Sequence, residues 1–426
     1  MRIIEYSSVK PEEVLYRGAN VKDRALEDRV TEIIAKVRRE GDAALRYYAE
    51  KFDGGAPECL EVTGEEKKAA VERVDPALYR VMEKAAENIR DFHSRQIRQG
   101  YVMAEKPGVI LGQKVTPIER VGLYVPGGTA AYPSTVLMDA IPAVLAGCSQ
   151  IVMVTPARAG QVPDAIIAAA QVAGVHRIFR TGGAQAVAAL AYGTETVPKV
   201  DKIVGPGNAY VAEAKRQVFG AVDIDMIAGP SEILAVADLS ADPRLLAADL
   251  LSQAEHDRMA SAVLVTDSRD LALETEKELY RQLETLPRRD IAGDSLENNG
   301  KIIIVKDILQ AVEISNEIAP EHLELCVRDP FALLPLVKNA GSVFMGHSCP
   351  EALGDYMAGP NHTLPTSGTA RFSSALGVDD FVKKIQFSCF TSDALAALAP
   401  DVALFARAEG LEAHARSALS RGEGQR

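Results

Sequence analysis

The sequence predicts an α/β fold: two Rossmann-like lobes with mainly parallel sheets, a short N-terminal arm and a helical C-terminal tail. Three observations carry that expectation. After residue 108, short β-branched runs alternate with Ala-rich helical stretches, and each run ends near Gly or Pro. The chain has 426 residues, too many for one ordinary core. Hydrophobic residues make up 47%, with no Trp and only 5% aromatics, so the core must be built from Ala, Val, Ile and Leu. Such a palette suits helices packed on parallel strands.

In order, residues 1–20 read as a polar arm. Val21 to Phe52 is helical, with Val30, Ile33, Ile34 and Val37 on one face and a break at Gly41. Asp75 and Pro76 open a long amphipathic helix running to about Ile97, with Asp75 as cap and Pro76 in the first position. Leu78, Val81, Ala85, Ile89 and Phe92 form its expected buried stripe. Strands are expected at 122–125, 151–154, 176–179 and 202–204, then at 262–265, 301–305 and 342–345. From about Gly377 the chain returns to helix and ends in a polar stretch from Ser420 to Arg426. The expected division is 21–123 with 232–376 as one lobe, 124–231 as the other, and 377–426 as the tail.

A formal charge of −12 argues against nucleic acid and against an anionic membrane surface. No apolar run approaches the roughly 20 residues of a membrane-spanning helix. The N-terminus, Met1-Arg-Ile-Ile-Glu-Tyr6, has no apolar signal region and no small-residue cleavage site, so it reads as the mature start of a cytoplasmic protein. Cys59, Cys148, Cys326, Cys349 and Cys389 form no CxxC pair, which points to free thiols and away from disulfides or a four-cysteine zinc site.

Five elements can carry chemistry. Four glycine turns follow expected strands: Val125-Pro-Gly-Gly-Thr129, Thr181-Gly-Gly-Ala-Gln185, Gly205-Pro-Gly-Asn208 and Gly229-Pro-Ser231. Turns at the C-terminal edge of a parallel sheet let backbone N–H groups approach a phosphate, though none of these is a GxGxxG and any one alone is an ordinary βα turn. Gln253 and His256, three apart in a helix, share a face and offer an amide oxygen and an imidazole to a metal; a single helical His is more often a surface or core residue. Glu321 beside His322, after Pro320 at a helix or loop start, can form an acid/base set, although alone such a pair is more often a solvated turn. The stretch Gly354 to Thr366 is poor in aliphatics, as loops built around a site are. In it Asp355 offers a hard oxygen ligand, and His362 offers either a further ligand or, preferably, a loop-organising hydrogen bond. Last come Glu409 and His414, five apart, with Gly410 placed to break the helix and bring Glu409 round.

Seven blocks in this order resemble the histidinol dehydrogenases: Val121-Gly-Leu-Tyr-Val-Pro-Gly-Gly128, Gly182-Gly-Ala-Gln-Ala186, Val204-Gly-Pro-Gly-Asn208, Ala228-Gly-Pro-Ser-Glu232, Gln253-Ala-Glu-His256, Pro320-Glu-His-Leu-Glu324 and Gly359-Pro-Asn-His-Thr-Leu-Pro-Thr366. The resemblance spans nearly the whole chain, from Val37 to His414. It implies one Zn²⁺ per subunit held by Gln253, His256, Asp355 and His414. It implies substrate contacts from Ser231, Gln253, His256, His322, Asp355, Glu409 and His414, and NAD⁺ contacts from Tyr124, Gln185 and Asn208. The lobe formed by 21–123 and 232–376 would carry zinc and the catalytic pair, and the lobe 124–231 would bind NAD⁺. The implied reaction takes L-histidinol through L-histidinal to L-histidine with two NAD⁺, the last step of histidine biosynthesis, His322 acting as base and Glu321 activating water. The resemblance also implies an intertwined homodimer with shared active sites, the tail bearing Glu409 and His414 reaching the neighbour. A donor set of two imidazoles, a carboxylate and an amide suits a zinc ion with open positions. The nearest alternative is a zinc dehydrogenase of another small alcohol, with Glu409 as discriminator; a zinc hydrolase is disfavoured by the glycine-rich lobe. A cysteine thiohemiacetal route would need Cys148 or Cys326, which read instead as buried thiols.

Overall fold

Fourteen strands organise the described residues: β1 (Arg2–Glu5), β2 (Tyr101–Met103), β3 (Val109–Pro117), β4 (Arg120–Tyr124), β5 (Gln150–Thr155), β6 (Arg177–Arg180), β7 (Lys202–Val204), β8 (Asp223–Ile224), β9 (Glu232–Ala237), β10 (Ser261–Thr266), β11 (Lys301–Ile304), β12 (His322–Cys326), β13 (Ser342–Met345) and β14 (Val382–Phe390). The computed structural model describes residues 1–8, 23–127 and 131–422. Residues 9–20 of the expected arm, Gly128 and Thr129 of the first glycine turn, and 423–426 of the polar end lie outside the described residues.

Two parallel sheets confirm the two Rossmann-like lobes. The five-stranded sheet runs β6-β5-β4-β7-β8, so the chain starts in the middle at β4, works outward, then reverses past β4 to β7. The six-stranded sheet runs β1-β11-β10-β9-β12-β13 and repeats the pattern, reversing between β9 and β12. Helices cover these strands, so β5, β9 and β12 are buried almost throughout. Each such strand is one short stretch of a core that runs through the sheet.

The chain divides into two compact units, 1–96 with 119–381 and 97–118 with 382–426. This changes several expectations. Residues 2–5 are not a free arm: β1 adds to the six-stranded sheet beside β11, pairing Arg2 with Lys301 through Glu5 with Ile304. Within the first unit, residues 24–94 share their main core with the five-stranded sheet. Val30, Ile33, Ile34 and Val37 of the helix Arg24–Glu40 share a core with Val187, Leu190, Val211 and Val218 from the five-stranded lobe. The helix Pro76–Ser94 packs on the helix Pro133–Ala146 of the same lobe. The N-terminal helices therefore cover the five-stranded sheet, where their apolar faces find a partner.

The cap and first position of Pro76–Ser94 are as expected, with the Asp75 carboxylate accepting the Ala77 N–H at 2.7 Å. Its buried stripe is turned by about one residue: Met82, Ala85, Ala86, Ile89 and His93 face inward, while Leu78, Val81 and Phe92 are exposed. The polar His93 takes a core position because its Nδ1 pairs with Gln96 Oε1 at 2.8 Å, a bond invisible to an apolar-spacing rule.

The tail is not wholly helical and begins later than residue 377. Phe381 is fully buried in the first unit, and the second unit opens with β14. Residues 97–118 belong there too: β14 pairs antiparallel with β3 from Val382–Pro117 to Phe390–Val109, and β2 flanks β3. The helices Ser392–Ala408 and Glu412–Gly422 follow, joined through Gly410 at φ +77° and packed on Ala403, Ala406 and Ala415. Only glycine adopts that turn without strain.

Candidate active site

The glycine turns gather where the five-stranded sheet reverses. Tyr124 ends β4 and is buried; its hydroxyl accepts the Gly183 N–H at 3.0 Å. Burial pushes the phenol up to about 12, so it stays a neutral donor. Gly205 follows β7 at φ +111°, and a Cβ there would stand 2.2 Å from Tyr124 O. The turn therefore requires glycine for space as well as for conformation. Lys215 Nζ donates to Gly205 O at 3.0 Å, Asp225 accepts the Gly205 N–H at 2.7 Å, and Lys215 and Asp225 form a buried ion pair that fixes this turn from behind. Asn208 caps the helix Ala209–Val218, accepting the Tyr210 and Val211 N–H groups at 3.0 and 3.2 Å. Gln185 is buried in the first turn of Gly183–Tyr192, its amide lying over Gly183. Tyr124, Gln185 and Asn208 thus surround one strand-order reversal, the usual place for a ligand in such sheets.

The loop 359–366 ties this region to the second sheet. Asn361 donates to Met138 O at 2.7 Å, Thr363 donates to Asp139 Oδ1 at 2.8 Å, and Thr366 accepts the Gly229 N–H at 2.6 Å. Asp139 is fully buried, and burial pushes its carboxyl up to about 7. A raised carboxyl is released first by the unfolded chain, so its contribution to stability falls as pH rises from the ordinary Asp range through 7. Asp139→Asn keeps the acceptor for Thr363 and removes the ionisation. The variant should gain melting temperature over the parent at about pH 8 but hardly at about pH 4. An equal difference in thermal melts at both values would count against the buried charge as the cause.

On the second sheet the site lies at the N-terminal edge. Glu321 and His322 do not start a helix or loop: His322 is the first residue of β12 and Glu321 precedes it. Both are buried, and one residue of the neighbouring strand holds both. The Glu232 N–H donates to Glu321 Oε2 at 2.9 Å, and His322 Nδ1 lies 2.9 Å from Glu232 O. A carbonyl only accepts, so the ring proton sits on Nδ1 and the lone pair is left on Nε2. Burial lowers His322 to about 4, and burial raises Glu321 well above the usual carboxylate range, with Glu232, Asp355 and Glu351 adding to it. His322 enters neutral solution as a free base.

Gln253 ends the helix Pro243–Ala254, almost fully buried, with its amide 3.3 Å from His322 Nδ1. His256 follows two residues past the helix, close enough for its charge to bear on Asp355. Asp355 lies in the short helix Glu351–Tyr356. Burial works against its charge, but the hydrogen bond and charge of His362, with His322 and His256, hold it below its ordinary value. His362 Nδ1 donates to Asp355 O at 3.2 Å and stands 3.5 Å from Asp355 Oδ1, so its bond organises the loop, as the sequence favoured. Among the described residues, donor atoms of His322, Glu351 and Asp355 all lie within 4.8 Å of one another. Ser231 immediately precedes β9, its carbonyl accepting the Ser261 N–H at 3.0 Å. Glu409 and His414 belong to the second unit, Glu409 as the cap of Ser392–Ala408 and His414 in the first turn of the last helix.

Comparison with known proteins decides the family. The family description "Histidinol dehydrogenase" matches residues 17–422. Histidinol dehydrogenase of Bacillus cereus is 53% identical over 404 residues, 95% of this chain and 94% of its own length. That of Geobacillus kaustophilus is 56% identical over 389 residues, 91% of this chain and 92% of its own. The chain belongs to the histidinol dehydrogenase family. A crystal structure of histidinol dehydrogenase from Elizabethkingia anophelis superposes with a TM-score of 0.93 at 38% identity, covering 99% of this chain and 98% of that one. Membership makes the protein an oxidoreductase of histidine biosynthesis.

In this histidinol dehydrogenase scaffold, sequence reasoning passed over three acids at the site. Glu232 acts through its backbone. Glu324, buried in β12, accepts the Glu351 N–H at 2.9 Å. Glu351 lies four residues before Asp355, on the same helical face; that spacing was available in the sequence. The cysteines are as expected for inert thiols. Cys148 and Cys326 are buried, burial pushes Cys148 up to about 11, and burial with the Glu324 carboxyl raises Cys326 far above reach of a thiolate at neutral pH. No helix among the described residues is long and apolar enough to cross a membrane.

Proposed function

We propose that the protein oxidises L-histidinol through L-histidinal to L-histidine in the cytoplasm, with His322 as base and Glu321 as activator of water. One observation carries the assignment: the Glu232 backbone clamps both side chains and leaves His322 Nε2 as the open lone pair. His322 Nε2 takes the hydroxyl proton as hydride leaves the carbinol carbon. His322 releases that proton to water, Glu321 takes a proton from the water that adds to the aldehyde carbon, and His322 Nε2, again free, takes the diol proton as the second hydride leaves. Two NAD⁺ in turn accept the two hydrides, and Tyr124, Gln185 and Asn208 are the residues proposed to hold them. Their convergence at a strand-order reversal supports that reading.

Gln253, His256 and Asp355, with His414, would hold one zinc ion. The donors fit: a neutral amide, imidazoles and a carboxylate kept ionised by its neighbours are what a borderline cation with open positions takes. Bound there, zinc would orient the substrate by its nitrogen atoms. Ser231, Gln253, His256, His322 and Asp355 would line the substrate, with Glu409 and His414 supplied by a second copy in a homodimer. In support, the second unit exposes Leu404 at 72% and Phe405 at 71%, an apolar surface of the kind a like chain covers.

The test is stoichiometric. Enzyme, limiting L-histidinol and excess NAD⁺ should yield two NADH per histidinol, and treatment with a chelator should abolish the yield until Zn²⁺ is restored. One NADH per substrate would point to a dehydrogenase of another alcohol.

A further inference from the structure

We propose that Glu324 is a positioning residue: it ties together the elements that carry Gln253 and Asp355 and so sets how tightly the zinc ion is held. The inference deepens the zinc reading and rests on Gln253 and Asp355 being ligands.

His322, Gln253 and Asp355 come from three separate elements, and each element carries a second, acidic residue on the same face. Glu324 follows His322 by two residues in β12, and residues two apart in a strand point the same way. Asp249 precedes Gln253 by four residues in the helix Pro243–Ala254, and Glu351 precedes Asp355 by four in the helix Glu351–Tyr356. Helical residues four apart are neighbours on one face.

The three acids meet through Glu324, which is 1% exposed. Its Oε1 accepts the Glu351 N–H at 2.9 Å, and its carboxyl hydrogen-bonds the Asp249 carboxylate. Two carboxyls bond each other only with a proton between them. Burial and the charge of Asp249 raise Glu324 well above the usual carboxylate range, while burial raises Asp249 only to about 6, so Glu324 keeps the proton and donates. One buried side chain thus donates to the helix of Gln253 and accepts from the helix of Asp355. Ser252 Oγ, donating to Glu351 Oε2 at 3.1 Å, adds a direct bond between the two helices. The helix Glu351–Tyr356 has six residues, too few to hold a position by its own hydrogen bonds. Its first N–H has no acceptor within the helix, and the bond to Glu324 ties that end to β12. Loosening the tie would let Asp355 shift relative to Gln253, and residues behind metal ligands act on affinity in this way.

The test measures zinc affinity on the metal-loaded protein by competition with a chelator, reading bound zinc, for the parent, Glu324→Gln and Glu324→Leu. Glutamine keeps an oxygen for the Glu351 N–H and an amide N–H for Asp249; leucine fills a similar space and offers neither. Leucine should weaken zinc binding about 10- to 100-fold, and glutamine by less than about 3-fold. The zinc-free proteins are melted alongside. Leucine suits a strand buried on both faces, so its variant should melt within about 5 °C of the parent. A leucine variant that holds zinc as tightly as the parent overturns the proposal. So does a glutamine variant that loses as much as leucine, because the hydrogen bonds would then not be the cause. A much larger fall in melting temperature for leucine also overturns it, by making Glu324 a prop of the whole lobe. A parent that takes up no zinc would overturn the zinc reading and this proposal with it.

Discussion

Replacing His322 with Asn is expected to lower histidinol turnover by about 10²- to 10⁴-fold, the range that a positioned general base contributes. Asn can still donate from its amide to Glu232 O, the bond that His322 Nδ1 makes at 2.9 Å, so the strand start should stay in place. What disappears is the lone pair on Nε2. The parent holds that lone pair free at neutral pH, because burial lowers the imidazole to about 4. Both half-reactions need it, so oxidation of histidinol and of histidinal should fall together while NAD⁺ affinity stays near the parent value. Steady-state kinetics with each substrate, beside a thermal melt, check this. A loss of less than tenfold with the fold intact would remove His322 from the role of base.

The second sheet explains why this residue was hard to place from the sequence. The strands β4, β5 and β7 were legible because strands buried on both faces read as unbroken β-branched runs. β12 is also buried at every position, yet Glu321 precedes it, His322 opens it and Glu324 lies within it, and charges of that density read as a turn. The rule for parallel sheets also points to C-terminal edges. It holds at Tyr124 and Gly205, but the second lobe uses the N-terminal ends of β9 and β12. Gln253 and His256 arrive there because the helix after β9 runs back to that edge.

Other features had no local signal at all. Glu232 contributes its main chain, which every residue has, so no side-chain pattern marks it. β14 finds its partner in β3, far away in the sequence, and neither segment alone reports the other. Gln253, His256, Asp355 and the glycine turns were legible as residue types with a known chemistry. Their placement in the first unit depended on strand order, which is set by the packing of whole lobes.

The second large effect is expected to divide the reaction. Glu321→Gln should lower oxidation of histidinal by about 10²- to 10³-fold, as for loss of a base acting on water, and oxidation of histidinol by less than about tenfold. Glutamine keeps an oxygen to accept the Glu232 N–H, so His322 Nδ1 should still meet Glu232 O and the first hydride transfer should still have its base. It cannot take a proton from water. Burial already raises Glu321 well above the usual carboxylate range, which brings a carboxylate closer to the basicity that water activation needs. The expected signature is a fall from two NADH per histidinol toward one, with the aldehyde trapped by a carbonyl reagent in matching amount. Equal loss of both half-reactions would show that Glu321 serves the alcohol step as well, through its 3.7 Å contact with His322 Nδ1, and that the two side chains act as one base.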